Sequence, residues 1–147
     1  MNYELLCAQL QALTDGIPYE TANLANAAAL LWQELSDINW AGFYKMEDGA
    51  LILGPFQGKP ACIRIEVGKG VCGTAVAENA TQRVSDVHAF PGHIACDGAS
   101  NSEIVIPIHA KGKIWGVLDI DSPIFHRFSE ADQAGLESFV AILENIL

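Results

Sequence analysis

Three of the four cysteines, Cys62, Cys72 and Cys96, lie between residues 62 and 96, and Cys7 stands far from them. Thiols gathered in this way bind a metal, form a bridge or do chemistry. A zinc site could draw on Cys62, Cys72, Cys96, His88 and His93. No Cys-x-x-Cys or His-x-x-x-His pair offers ligand spacing, however, so no metal site is expected. Thiol redox chemistry asks instead for an accessible attacking thiol and a second thiol able to reach it. Cys96, in a segment flanked by glycines, and Cys62, at a strand start, fit those two roles. Cys7 reads as a small apolar residue of a helix. His88, His93 and His109 have no assigned partner and read as loop or surface histidines.

A second group is acidic and aromatic. Trp40 and Tyr44, four residues apart on one strand, share a sheet face with Cys62 and with Glu103, Asp119 and Asp121 of a hairpin. Carboxylates on adjacent strands repel unless a cationic ligand or a raised pKa relieves them. A solvated sheet face is the plain alternative. An aromatic floor, an acidic rim and a cysteine-bearing loop over the same face favour a small ligand. Such a ligand carries an apolar or soft end and an ammonium.

These residues need elements to position them. Leu5, Leu6, Leu10 and Leu13 recur at helical spacing, and Thr14-Asp15-Gly16 with Pro18 ends that helix. A second helix runs from about Thr21 to Ser36 with Leu24, Ala27, Ala28, Leu31 and Leu35 on one face. Alternation then marks strands at Ile38–Lys45 and Ala50–Phe56 around Glu47-Asp48-Gly49. A third strand puts Ala61, Ile63, Ile65 and Val67 on one face and Cys62, Arg64 and Glu66 on the other. A short helix, Val71–Glu78, and a brief strand near Arg83-Val84 follow. Ser85–Asn101 is long and irregular, as functional loops are, and it carries Cys96.

Strands Ser102–His109 and Lys113–Ser122 flank a three-residue connection, Ala110-Lys111-Gly112. That register pairs Ile104 with Leu118, Ile106 with Gly116 and Ile108 with Ile114, and sets Glu103 across from Asp119. The last helix begins at Ser129, a capping residue, and buries Leu136, Phe139, Val140, Leu143 and Leu147. The expected architecture is one α+β domain over residues 1–147. A central six-stranded antiparallel sheet carries the N- and C-terminal helices on one face and the site, under loops, on the other.

Eighteen acidic residues against 8 basic ones give a net charge of −10, which argues against nucleic acid or an anionic membrane as partner. No apolar run approaches the ~18 residues of a membrane span. The segment MNYELLCAQLQAL lacks the basic and cleavage regions of a signal peptide. The expected compartment is the reducing cytoplasm, where lasting structural disulfides are rare.

Several motifs together resemble one family: Asn39-Trp40-Ala41-Gly42-Phe43-Tyr44, Gly54-Pro55-Phe56-Gln57-Gly58, Cys62, Gly68-Lys69-Gly70-Val71-Cys72-Gly73, His93-Ile94-Ala95-Cys96-Asp97, Ser102-Glu103-Ile104-Val105 and Leu118-Asp119-Ile120-Asp121-Ser122. The chain is similar to the free methionine-(R)-sulfoxide reductases, GAF-type enzymes, from about Tyr19 onward. The resemblance implies a GAF-like fold and reduction of free L-methionine-(R)-sulfoxide without a cofactor. It implies Cys96 as the attacking thiol that becomes a sulfenic acid. Cys62 is implied as the thiol that condenses with it to a disulfide, and thioredoxin as the reductant. Cys72 matches the third family cysteine, an auxiliary or alternative resolving thiol. Trp40 and Tyr44 match the wall around the methyl-sulfoxide end. Glu103, Asp119 and Asp121 match the cluster that holds the amino-acid head and assists protonation of the sulfoxide oxygen. A GAF small-molecule sensor without turnover and a cysteine redox sensor are the rival readings. Whether the chain pairs as a homodimer is left open by the sequence.

Overall fold

The computed structural model of the chain describes residues 1–93 and 98–147. Helices α1 (Tyr3–Thr14) and α2 (Glu20–Glu34) lead into strands β1 (Trp40–Glu47), β2 (Ala50–Gly58) and β3 (Arg64–Glu66). Helix α3 (Gly70–Glu78), β4 (Gln82–Val84) and a 3-10 turn at Val87–Ala89 come next. The hairpin β5 (Ser102–Ala110) and β6 (Lys113–Ser122) precedes α4 (Glu130–Glu144). Among the described residues the strands form one antiparallel sheet in the order β3-β2-β1-β6-β5-β4. The fold is α+β, as expected.

The two faces divide as the period-two pattern requires. On one, Ala41, Phe43, Ile104, Ile106, Ile108, Leu118 and Ile120 pack against α1, α2 and α4. From α4 come Leu136, Phe139, Val140 and Leu143, with Leu147 partly buried beside them. Ser129 caps α4 through a reciprocal pair: its hydroxyl accepts from Asp132 N, and Asp132 accepts from Ser129 N. In α1 the expected four-leucine stripe narrows to Leu6 and Leu10, while Leu5 and Leu13 are exposed. Leu5 lies about 100° round the helix from Leu6, and in the last turn Thr14 is buried in place of Leu13. Cys7 is half-buried against this core.

The hairpin register differs from the expected one by two residues. Lys111 and Gly112 both have positive φ, 53° and 76°, so they form a two-residue type I′ turn closed by Ala110 and Lys113. A bulge then leaves Trp115 as the extra residue between Ile114, opposite His109, and Gly116, opposite Ile108. Each feature slides the pairing by one residue, so parity survives. Ile104 meets Ile120, Ile106 meets Leu118, and Glu103 faces Asp121 rather than Asp119.

The third strand also differs. A bend at Ile63 precedes it and breaks the alternation. Ile65 is buried toward the site face, Arg64 and Glu66 are exposed, and Ile63 and Val67 face outward. Cys62 lies two residues ahead of β3, so it does not share a strand face with Arg64 and Glu66. Among the described residues no helix is long and apolar enough to cross a membrane.

Candidate active site

The sheet face opposite the long helices holds a second cluster: Trp40, Tyr44, Leu51, Ile65, Val71, Cys72, Ala75, Val105 and Val117. Helix α3 covers part of this face. It starts where Gly68 and Gly70, with φ of +86° and +61°, turn the chain. Gly73 lets α3 approach closely, since a Cβ there would lie 2.4 Å from Glu66 O. That approach brings Cys72, in the first turn of α3, over β5 and β6.

A cavity of about 50 Å³ lies between α3 and the sheet, lined by Trp40, Tyr44, Cys72, Glu103, Asp119 and Asp121 among others. Six of the eight residues singled out in the sequence thus meet at one place. Strand pairing explains why. Trp40 sits beside Asp121, Gly42 beside Asp119, and Glu103 beside Asp121 on the other flank. Gly42 leaves room for the aromatics: a Cβ there would fall 2.3 Å from Phe56 Cβ and 2.8 Å from Trp40 Cη2. The Trp40 ring stacks on Phe56 at 5.2 Å and on Tyr44 at 5.9 Å. Trp40 Nε1 donates to Lys59 O at 3.1 Å, which fixes the indole plane.

Cys62 packs at the edge of the same cluster. Its carbonyl accepts a 2.8 Å hydrogen bond from the Tyr44 hydroxyl, so the aromatic wall holds the Cys62 backbone. Cys96, the expected attacking thiol, lies outside the described residues.

The electrostatics of the cavity are those of crowded, dry acids. Burial, then the charges of Asp119 and Asp121, hold the Glu103 carboxyl well above its ordinary range. Burial raises Asp119 as well, and hydrogen bonding with the Glu103, Cys72 and Asp121 side chains offsets part of that rise. Asp119 Oδ1 is shut from solvent and has no hydrogen-bond partner among the described residues. The Cys72 thiol is pushed well above its ordinary value, by burial first and then by the fields of Asp119, Glu103 and Asp121. Burial and the same charges raise the Tyr44 hydroxyl. Glu103 and Asp119 therefore hold their protons to higher pH than free carboxyls do, and Cys72 is a poor nucleophile in this arrangement.

Sequence reasoning missed part of the lining. His93 lines the cavity rather than the outer surface, and burial followed by the neighbouring His88 lowers its pKa. Ser100 lines it too and accepts from Asn39 Nδ2 at 3.1 Å. Its position beside Asn101 and the acidic strand was the available signal. The other histidines do have partners: His88 Nε2 meets Asn101 Oδ1 at 2.9 Å, and His109 bridges Asn79 and Glu144.

Residues 9–147 match the GAF domain family. The free methionine-R-sulfoxide reductase of Escherichia coli is 59% identical over 145 residues, covering 99% of this chain and 88% of that protein. The structure of the Staphylococcus aureus fRMsr in its reduced form superposes with a TM-score of 0.97 at 55% identity, over 99% of this chain and 95% of that one. The Neisseria meningitidis free methionine-R-sulfoxide reductase, in complex with its substrate, gives a TM-score of 0.95 at 42% identity, over 98% and 87%. The chain is thus a GAF domain protein and, within that class, belongs to the free methionine-R-sulfoxide reductase family of enzymes.

Proposed function

We propose that this protein reduces free L-methionine-(R)-sulfoxide to methionine. The observation that carries the reading is one cavity that joins an aromatic wall, Trp40 and Tyr44, to three carboxyl groups, Glu103, Asp119 and Asp121. The wall suits the methyl-sulfoxide end. The acids suit the ammonium, with the orphaned Asp119 Oδ1 as a ready acceptor. The choice of the R epimer follows the relatives' activity.

Sulfoxide reduction needs a thiolate at sulfur and a proton at oxygen. In the proposed route the Cys96 thiolate attacks the sulfoxide sulfur while one acid of the trio protonates its oxygen. The S–O bond of the substrate breaks as the hydroxyl passes to the cysteine sulfur. Cys96 becomes a sulfenic acid and releases methionine. The Cys62 thiolate then attacks the Cys96 sulfur, a disulfide forms, and water leaves with a second proton. Thioredoxin, acting in the cytoplasm, returns both thiols. Cys72, buried with a raised pKa, is held back as an auxiliary thiol.

Coupled NADPH consumption with thioredoxin tests the reading. Turnover is expected with the free R epimer and not with the S epimer, and Cys96→Ser should abolish it while keeping the fold. Efficient reduction of methionine sulfoxide inside a peptide would overturn the preference for the free amino acid. Binding of methionine sulfoxide by reduced, folded protein with no turnover would leave a GAF sensor instead.

A further inference from the structure

Cys72 of α3, Glu103 of β5 and Asp119 of β6 each offer a donor atom, and these atoms lie within 4.8 Å of one another in the buried cavity. We propose that this trio is a binding site for a thiophilic divalent cation of the zinc type, which blocks the cavity when no amino acid occupies it. The binding stands on the geometry alone, whereas the blockade rests on the proposed reductase function.

Two separate observations support it. The first is the donor set. One sulfur and two carboxylates give three protein ligands with a position left for water, the pattern of an open zinc site. Calcium and magnesium prefer six or more oxygens and gain nothing from a thiolate. In a tetrahedral zinc site neighbouring ligand atoms stand about 3.3–3.6 Å apart, so the trio needs to close by only about 1 Å.

The second is Asp119 Oδ1, unpartnered among the described residues, which belongs to a residue 6% exposed that lines the cavity. A buried carboxylate oxygen with no donor awaits a cation. An ammonium answers that need when substrate is present, and a metal answers it otherwise, so the two compete for one charge. The three ligands come from three elements, which is why no ligand spacing marks them in the sequence.

Cobalt(II) is the probe, because a thiolate ligand gives it a charge-transfer absorption. A variant with Cys7, Cys62 and Cys96 all changed to Ser keeps Cys72 as its single thiol. It should bind one cobalt per chain with that absorption, and zinc should displace the cobalt. Adding Asp119→Asn should weaken binding at least tenfold. In the otherwise unaltered protein, Cys72→Ser should erase the absorption. In the thioredoxin-coupled assay, zinc should raise KM for the sulfoxide and leave kcat unchanged.

Absorption that survives Cys72→Ser would put the cation on Cys62 or Cys96 and overturn the proposal. So would its absence from a folded single-thiol variant, or Asp119→Asn binding as tightly. If the single-thiol variant does not fold, Cys72→Ser and Asp119→Asn in the parent decide. Cobalt binding without competitive inhibition would remove the blockade and keep the site. No turnover in the absence of zinc would instead count against the reductase reading.

Discussion

Gly42→Ala tests whether the aromatic wall is set by space at the sheet. The added Cβ would fall 2.3 Å from Phe56 Cβ, 2.9 Å from Phe56 Cα and 2.8 Å from Trp40 Cη2. Carbon atoms prefer about 3.5–4.0 Å, so all three contacts are too short, by roughly 0.6 Å at the least and by more than about 1 Å at Phe56 Cβ. One of them is backbone, which no rotamer change relieves. The β1–β2 pair must open, or Phe56 and Trp40 must move together. Overpacking of this kind costs about 2–3 kcal/mol, which at about 2–4 °C per kcal/mol lowers Tm by roughly 4–12 °C. Trp40 would be displaced into the cavity, so KM for the sulfoxide should rise more than kcat falls. Gly54→Ala is the internal control. Its Cβ would meet Phe43 O at 3.1 Å, with Phe43 C and Cβ at ordinary contact distances of 3.7 and 3.8 Å, and a smaller loss is expected. Calorimetry and steady-state kinetics on both variants decide. A Gly42→Ala protein with parental Tm and KM would refute the argument.

Three further expectations concern groups around the same cavity and the last helix. Glu103 ordinarily titrates at 4.5, and its folded value lies well above that. The folded state therefore holds a proton that the unfolded chain releases. Stability is full below 4.5 and declines as pH rises toward the folded value, at about 1.4 kcal/mol per pH unit. Glu103→Gln stays neutral, so its Tm should fall less than the parent's between about pH 5 and 8; parallel curves would reject the sign. Tyr44→Phe removes the bond to the Cys62 carbonyl, worth about 1 kcal/mol. It should lower Tm by about 2–4 °C and speed alkylation of Cys62 in reduced protein, and an unchanged rate would rule out the tether. Ser129→Ala breaks the reciprocal cap of α4 at about 1 kcal/mol, giving a similar Tm loss with kcat/KM unchanged.

Much of this was legible in the sequence because periodicity is a local signal. The helical stripes in α2 and α4 and the alternation in β1, β5 and β6 follow from which residues must be dry. So Glu103, Asp119, Asp121, Trp40 and Tyr44 could be assigned to one face without coordinates. Their exact neighbours could not. Lys111 accepts a left-handed conformation that is rare for a lysine, and a bulge at Trp115 has no compositional mark. Parity in β3 failed at Ile63, where one bend resets the alternation. His93 escaped because a loop's return over the sheet depends on tertiary packing rather than on residue pattern.

The hairpin has a consequence for how this site can change over generations. Its short turn and its bulge are two one-residue offsets in the same direction, and their sum is even. Losing one residue, from either the turn or the bulge, would set Glu103 opposite a residue whose side chain belongs on the other side of the sheet. One strand would then have to rotate, sending its acids into the helix-packed interior or its isoleucines into the cavity. Insertions and deletions between His109 and Gly116 are therefore tolerated in compensating pairs. The chemistry of the acidic rim is protected by an even-odd count as much as by the identity of its carboxylates.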